Sequence, residues 1–208
     1  LSTSYAFNKD YRVTIDQVLR YNTRIGNDHE IGALTGYNEW YFNYYDFSAS
    51  KLGLIDYTIT TLGSAGNTSN NANGQEYDRA VRSWFGRVNY AYKGKYLVEG
   101  NLRYDGSSRF AKSNRWGYFP SVSAGWRISD ENFFQNLNTP LTNVKLRASW
   151  GKLGNFGATN NGSASDYAYQ AVYSDVPNSF NGLAAAGLRQ GSIANLGLQL
   201  ERTTQTNI

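Results

Sequence analysis

From Ser83 to Lys152 the sequence alternates with a period of two, and the alternation separates charge from apolar bulk. One set of alternate positions reads Trp84, Gly86, Val88, Tyr90, Tyr92, then Tyr96, Val98, Gly100, Leu102, Tyr104. It continues as Val122, Ala124, Trp126, Ile128, and then Val144, Leu146, Ala148, Trp150. None of these residues is charged. The intervening set contains Arg87, Lys95, Glu99, Arg103, Arg127, Lys145 and Arg147. A period of two puts successive side chains on opposite faces of a strand, so this stretch predicts four strands with one apolar and one charged face. A soluble sandwich alternates as well, but the aromatic residues narrow the choice. Tyr90, Tyr92 and Tyr96 gather at the tight turn Lys93-Gly94, and Trp84, Tyr104 and Trp150 lie toward the opposite strand ends. Aromatic belts at both ends of an apolar band are the pattern of an outer-membrane barrel.

Two earlier segments fit the same scheme. Tyr11, Val13, Ile15, Leu19 and Tyr21 alternate with Arg12, Thr14, Asp16 and Arg20. After Gly26-Asn27-Asp28, Ile31, Ala33, Thr35 and Tyr37 alternate with Glu30, Gly32, Leu34 and Asn38. A seventh strand begins near Leu198 and runs to Ile208. The connections at Gly26–Asp28 and Lys93–Gly94 are short, and Ser129–Thr142 is intermediate. Those near Phe47–Asp78, Gly106–Tyr118 and Gly154–Gly197 are longer. Short turns on the periplasmic side and long loops outside are the barrel habit, which assigns a side to every connection. Ser129-Asp130-Glu131-Asn132-Phe133-Phe134 predicts a helical turn at the periplasmic rim, with the acids as caps.

Composition removes several alternatives. The 208 residues carry no Cys and one His, which argues against thiolate chemistry, Cys-ligated metals and His-based sites. A net charge of +4 is too small to suggest nucleic-acid binding. His29 reads as a solvated turn residue. No metal, cofactor or catalytic residue is expected. No leader-like apolar segment and no apolar helix-length run occurs.

The expected fold class is therefore all-β: an antiparallel transmembrane barrel segment of about seven strands filling residues 1–208. Single-chain bacterial barrels have even strand numbers and leave no open edge in lipid. The segment is accordingly expected to belong to a larger barrel.

Several strings carry a family resemblance. They are Trp84-Phe85-Gly86-Arg87-Val88-Asn89-Tyr90, Lys93-Gly94-Lys95-Tyr96-Leu97, and Arg103-Tyr104-Asp105-Gly106-Ser107-Ser108-Arg109-Phe110. Trp116-Gly117-Tyr118-Phe119-Pro120-Ser121-Val122-Ser123-Ala124-Gly125-Trp126-Arg127, Lys145-Leu146-Arg147-Ala148-Ser149-Trp150-Gly151 and Gly154-Asn155 complete the stretch. This order resembles the barrel of SusC/RagA-type TonB-linked outer-membrane transporters. Glu201, Thr203, Thr204, Gln205, Asn207 and Ile208 resemble the family's next strand, with Leu200 where a Trp is usual.

The resemblance implies a barrel of roughly 22 strands closed by an N-terminal plug. The plug, the signal peptide and the TonB-interacting segment would lie outside this chain. It implies a non-enzymatic importer of oligosaccharides or peptides, set in outer-membrane lipid and working with a SusD-like surface lipoprotein. Energy would come from TonB–ExbB–ExbD. A passive porin or adhesin barrel is the alternative on strand physics alone. The lumen-facing or plug-facing candidates are Arg87, Glu99, Arg103, Arg127, Lys145 and Arg147. The extracellular loop candidates are Trp40, Tyr41, Tyr44, Tyr45, Asp105 and Arg109, the aromatic ones suited to stacking on sugar faces or to an upper girdle.

Overall fold

Alternation of bulky β-formers with polar residues produces strands almost throughout. The computed structural model describes residues 1–66, 69–137, 139–155, 166–181 and 183–208. Its strands are β1 (Ser2–Ile25), β2 (His29–Leu52), β3 (Ser69–Tyr92), β4 (Tyr96–Ser107), β5 (Trp116–Arg127), β6 (Lys145–Asn155), β7 (Val172–Phe180), β8 (Leu183–Ser192) and β9 (Glu201–Asn207). Seven form one sheet in the order β1-β2-β3-β4-β5-β6-β9, and β7 pairs with β8 in a separate ribbon. The fold is thus the expected antiparallel, non-closed barrel segment. The ribbon falls inside the stretch predicted as one long loop, and part of that stretch, 156–165, lies outside the described residues.

The first three strands exceed their predicted lengths, each running to 24 residues. The connection expected over Phe47–Asp78 is correspondingly shorter, because β2 continues to Leu52 and β3 begins at Ser69. The β4–β5 connection also contracts, leaving a single-turn 3-10 segment, Lys112–Asn114.

The tight turn after β3 has a simple cause. Lys93 and Gly94 both adopt left-handed backbone, with φ of 52° and 66°. The Lys95 amide donates to the Tyr92 carbonyl at 3.0 Å. Such a turn matches the twist of the strands it joins, and Gly94 supplies one of its two positive φ angles without strain.

Register fixes the faces. Tyr92 opposes Tyr96, Val88 opposes Gly100, and Trp84 opposes Tyr104. On β5, Tyr118 opposes Tyr104, Val122 opposes Gly100, and Trp126 opposes Tyr96. On β6, Trp150 opposes Val122 and Leu146 opposes Trp126. Directly paired residues share a face, so the predicted apolar residues of these strands form one continuous surface. Their side chains stay open: Trp84, Val88, Val98, Leu102, Val122 and Leu146 are all about half exposed. A sheet whose apolar face remains uncovered needs an apolar surrounding.

The chain separates into two compact units. One comprises Leu1–Thr14 with Trp40–Ala80; the other comprises Ile15–Glu39 with Val81–Ile208. In the first, Gly53 donates its amide to the Leu1 carbonyl at 3.0 Å and Thr3 donates its hydroxyl to the Thr60 carbonyl. In the second, a small core forms where Phe110, Phe119 and Leu200 fall to 4%, 5% and 3% exposure.

Candidate functional site

The charged face is built by the same register that builds the apolar one. Arg87 opposes Asn101, Asn89 opposes Glu99, and Phe85 opposes Arg103. Gly125 opposes Arg147, and Arg127 opposes Lys145. All six predicted polar-face candidates therefore share one face of the sheet. Toward the turn ends this face borders a hollow of about 970 Å³ whose lining includes Asn22, Glu30, Asn89, Glu99 and Arg147.

Their charge balance is uneven. Arg103 pairs with Asp105 at 3.2 Å, and Arg127 lies 4.0 Å from Asp130. Arg87, Lys145 and Arg147 have no carboxylate partner among the described residues. Lys145 also faces Arg127 directly across the strand pair. Like charges at directly opposed positions repel, so this face carries unbalanced positive charge.

The extracellular candidates separate on inspection. Trp40, Tyr41, Tyr44 and Tyr45 lie within β2 and not in a loop, which corrects the expectation. The polar, glycine-bearing start of β3 shows no alternation to reveal the pairing partner that extends β2. Within their unit the ring contacts of this run divide into two groups. Arg12 sits over Trp40 and Phe42 at 5.4 and 5.6 Å from the ring centroids. Tyr77 stacks on Tyr44 at 5.0 Å, and Arg79 lies 5.0 Å from the Tyr77 ring. Tyr41 instead meets Tyr11 at 6.0 Å.

Asp105 belongs to the end of β4 and is nearly buried, at 6% exposure, where Arg103 neutralises it. Asp105 is thus a strand-end residue and not the loop residue expected. Arg109 lies in the β4–β5 connection and pairs with Asp166 at 3.1 Å.

Both aromatic belts are present in the second unit. Tyr104 stacks on Trp116 at 4.7 Å and on Tyr118 at 4.4 Å, while Tyr37 meets Trp84 at 4.6 Å. At the turn end, Tyr92, Tyr96 and Trp126 stack in succession at 6.2 and 6.5 Å. Trp150 is displaced from its expected place. Register puts it in the row of Val88, Gly100 and Val122, midway between the rows of the two belts.

The predicted helical turn exists as a 3-10 turn, Ile128–Asp130, followed by α1 (Asn132–Gln135). The capping role does not hold, because the Glu131 side chain makes no cap hydrogen bond. Its carboxylate instead accepts from the Tyr96 hydroxyl at 2.6 Å, the Trp126 indole at 3.1 Å and the Lys95 ammonium at 3.3 Å. The Tyr96 hydrogen bond, then that of Trp126, holds the Glu131 carboxyl below its ordinary pKa. Tyr96 and Trp126 at one strand end each bring a donor that needs an acceptor, and this is the signal sequence reasoning could have used. His29 departs from the solvated turn residue expected: it is half-buried, its ring lies 5.0 Å from Tyr92, and its Nδ1 is 2.8 Å from the Tyr90 hydroxyl.

An apolar outer band, two aromatic belts and a polar opposite face define the wall of a membrane β-barrel. The chain belongs to the TonB dependent receptor-like, beta-barrel family, whose model matches residues 1–208. A TonB-dependent receptor of Formosa agariphila is 32% identical over 205 residues, covering 96% of this chain and 18% of that protein. The TonB-dependent receptor SusC of Bacteroides thetaiotaomicron is 45% identical over 91 residues, covering 44% of this chain and 8% of SusC. The solved RagAB peptide transporter superposes with a TM-score of 0.86 at 24% identity, covering 98% of this chain and 22% of the transporter chain. The chain thus spans about a fifth of the length of such relatives, and it is a segment of an outer-membrane barrel.

Proposed function

We propose that this chain is part of the barrel wall of an energy-coupled importer of oligomeric nutrients, with its apolar face toward lipid and its charged face toward the lumen. The observation that carries the reading is the split between a face whose strand positions from Trp84 to Trp150 carry no charge and a face holding Arg87, Lys145 and Arg147 with no carboxylate partner among the described residues. Bases facing hydrocarbon would cost several kcal/mol each. Bases facing an enclosed plug gain acidic partners there. Arg87, Lys145 and Arg147 are the proposed plug contacts, and Glu99, Arg103 and Arg127 complete the lumen lining. The wall has no chemistry to perform. It binds, positions and gates.

Trp40 and Tyr44, with the guanidinium of Arg12 beside them, form the proposed stacking surface for incoming substrate. Tyr41 and Tyr45 alternate with them along β2 and are assigned to the girdle. Asp105 and Arg109 brace the rim through their ion pairs. A SusD-like surface lipoprotein closes the outer side, and TonB–ExbB–ExbD supplies energy through a segment outside this chain. The substrate is an oligosaccharide or a peptide; the RagAB neighbour is a peptide transporter, which supports the second as much as the family supports the first.

The test is uptake in strains with and without TonB. Growth on the oligomeric substrate should disappear without TonB, because a plugged lumen passes nothing by diffusion. Uptake that persists at the same rate would reject energy coupling and establish a passive porin.

A further inference from the structure

Within the second unit, the charged face of β3, β4 and β5 is open along its middle and covered at the end away from the tight turn. Arg87 and Arg103 are exposed. Two residues beyond Arg103 on the same face, Asp105 is nearly buried, and its register partner Ser83 falls to 1% exposure. The next pair on this face, Ser107 with Val81, is buried as well. On β5 the residue opposite Arg103 is the nearly buried Phe119. The apolar face stays open at the same level, where Trp84 and Tyr118 are 54% and 62% exposed. Directly paired residues share a face, so one face of the sheet is covered here and the other is not.

The cover is the β4–β5 connection. Its Phe110 packs with Leu200 on Phe119, so both stand on the charged side of the sheet. Ala111 is buried too. The connection is closed on itself: the Ser107 amide donates to the Arg115 carbonyl at 3.2 Å, and the Arg115 Nε donates to the Phe110 carbonyl at 3.4 Å. It is also tied to the segment between β6 and β9. The Asn114 Nδ2 donates to the Leu196 carbonyl at 2.7 Å, and Arg109 pairs with Asp166 at 3.1 Å, both side chains largely buried. Segments that open easily have few buried contacts, and removing one partner of a shielded ion pair is costly. This connection is therefore held in place and does not swing free.

We propose that the β4–β5 connection folds into the outer mouth of the lumen as a fixed constriction, which admits an extended, unbranched chain and excludes a branched one. The inference rests on the proposed orientation of the two faces, because a cover on the charged face is inside the barrel only if that face lines the lumen. A layer packed on a sheet stands about 10 Å from it, so the wall is thicker by that amount at this level. The layer does not yield, because packed apolar side chains resist compression. A single chain threads past a rigid layer end-on, whereas a branch point must bring two chains past it together. Selection of this kind needs no binding chemistry. Phe110 seated on Phe119 sets the depth of the constriction, and the Arg109–Asp166 pair holds the seat.

The experiment labels single cysteines in the full-length transporter on intact cells that make no surface lipoprotein partner. The probes are a small sulfonated maleimide, a linear polyethylene-glycol maleimide and a branched one of equal mass. Lys112→Cys, exposed on the connection itself, should react equally with the linear and branched probes. Asn101→Cys, on the charged face four residues below Asp105, should react with the small and linear probes and about tenfold more slowly with the branched one. Adding Arg109→Ala/Phe110→Ala should bring the branched rate to within about twofold of the linear rate. If that variant does not reach the membrane, replacing residues 108–115 by Asn-Gly, a two-residue turn between β4 and β5, makes the same comparison. A branched probe that labels Asn101→Cys as fast as the linear one, or a difference that persists in the opened variants, overturns the constriction. Leu102→Cys separates the two ideas. If the small charged probe labels Leu102→Cys and not Asn101→Cys, the orientation of the faces is refuted. If it labels Asn101→Cys and the branched probe is not held back, the constriction alone is refuted.

Discussion

Val88→Arg gives the sharpest test of which face meets lipid. Val88 stands four residues from Trp84 and four from Tyr92, in opposing belts. At about 3.3 Å per residue, each belt is about 13 Å away along the strand. A barrel tilt of about 40° reduces that to about 10 Å of height, which puts Val88 near the middle of a band about 25 Å tall. An arginine there is expected to cost about 2–4 kcal/mol. That is about a thirty- to seven-hundred-fold loss in the folding equilibrium. Val98 is two residues from Tyr96 and two from Gly100, which opposes Val88, so it lies halfway between interface and midplane and Val98→Arg should cost an intermediate amount, about 1–2 kcal/mol. Asn101 is on the other face, where it already donates to Glu99 at 2.9 Å, and Asn101→Arg should stay within about 0.5 kcal/mol. The assay is guanidinium titration of the full-length protein folded into phosphatidylcholine vesicles, followed by tryptophan fluorescence. Equal costs for Val88→Arg and Asn101→Arg, or the reverse order, would refute the facing.

Further outcomes follow from local packing and charge. Phe119 is nearly buried against Phe110 and Leu200, so Phe119→Ala should cost about 3–5 kcal/mol in the same titration. A Cβ on Gly154 would run into the Phe119 ring, so Gly154→Ala should cost about 1–3 kcal/mol and be partly rescued by Phe119→Leu. Gly94→Val should cost about 1 kcal/mol by forcing a β-branched residue into left-handed backbone, visible as slower refolding in stopped-flow fluorescence. Glu131 has a lowered pKa in the folded protein, so its contribution is complete above the ordinary carboxylate pKa and fades as pH falls through the folded value. Near-ultraviolet circular dichroism of the Tyr96–Trp126 end should therefore change on acidification in the wild type and not in Glu131→Gln.

The central strands are legible because each must satisfy two solvents at once. Val88 and Arg87 sit side by side in sequence and look in opposite directions, and the contrast shows in the letters. The start of β3 and the β7–β8 ribbon have no such contrast. The run Asn71-Ala72-Asn73-Gly74-Gln75 carries no bulky apolar residue on either face, so no period emerges although it lies within the strand. The polar-face candidates are readable for the same reason as the strands. The Arg109–Asp166 pair is not, because nothing local links residues 57 apart. Glu131 reads as a cap because a helix start is a nearer use for an acid than two aromatic donors from other strands.

The two-faced sheet behaves like a reading frame. A single residue inserted into β4 between Gly100 and Leu102 would send Arg103 to the lipid side and Leu102 to the lumen, together with every residue up to the next turn. Two inserted residues would restore the faces but slide β4 against β3 and β5 by one full pair. Deletion of one residue is as harmful as insertion of one. Length variation in this wall should therefore collect at the connections, where no frame has to be kept, and a lineage can lengthen or shorten its loops freely while the strand text between Trp84 and Trp150 changes only by substitution.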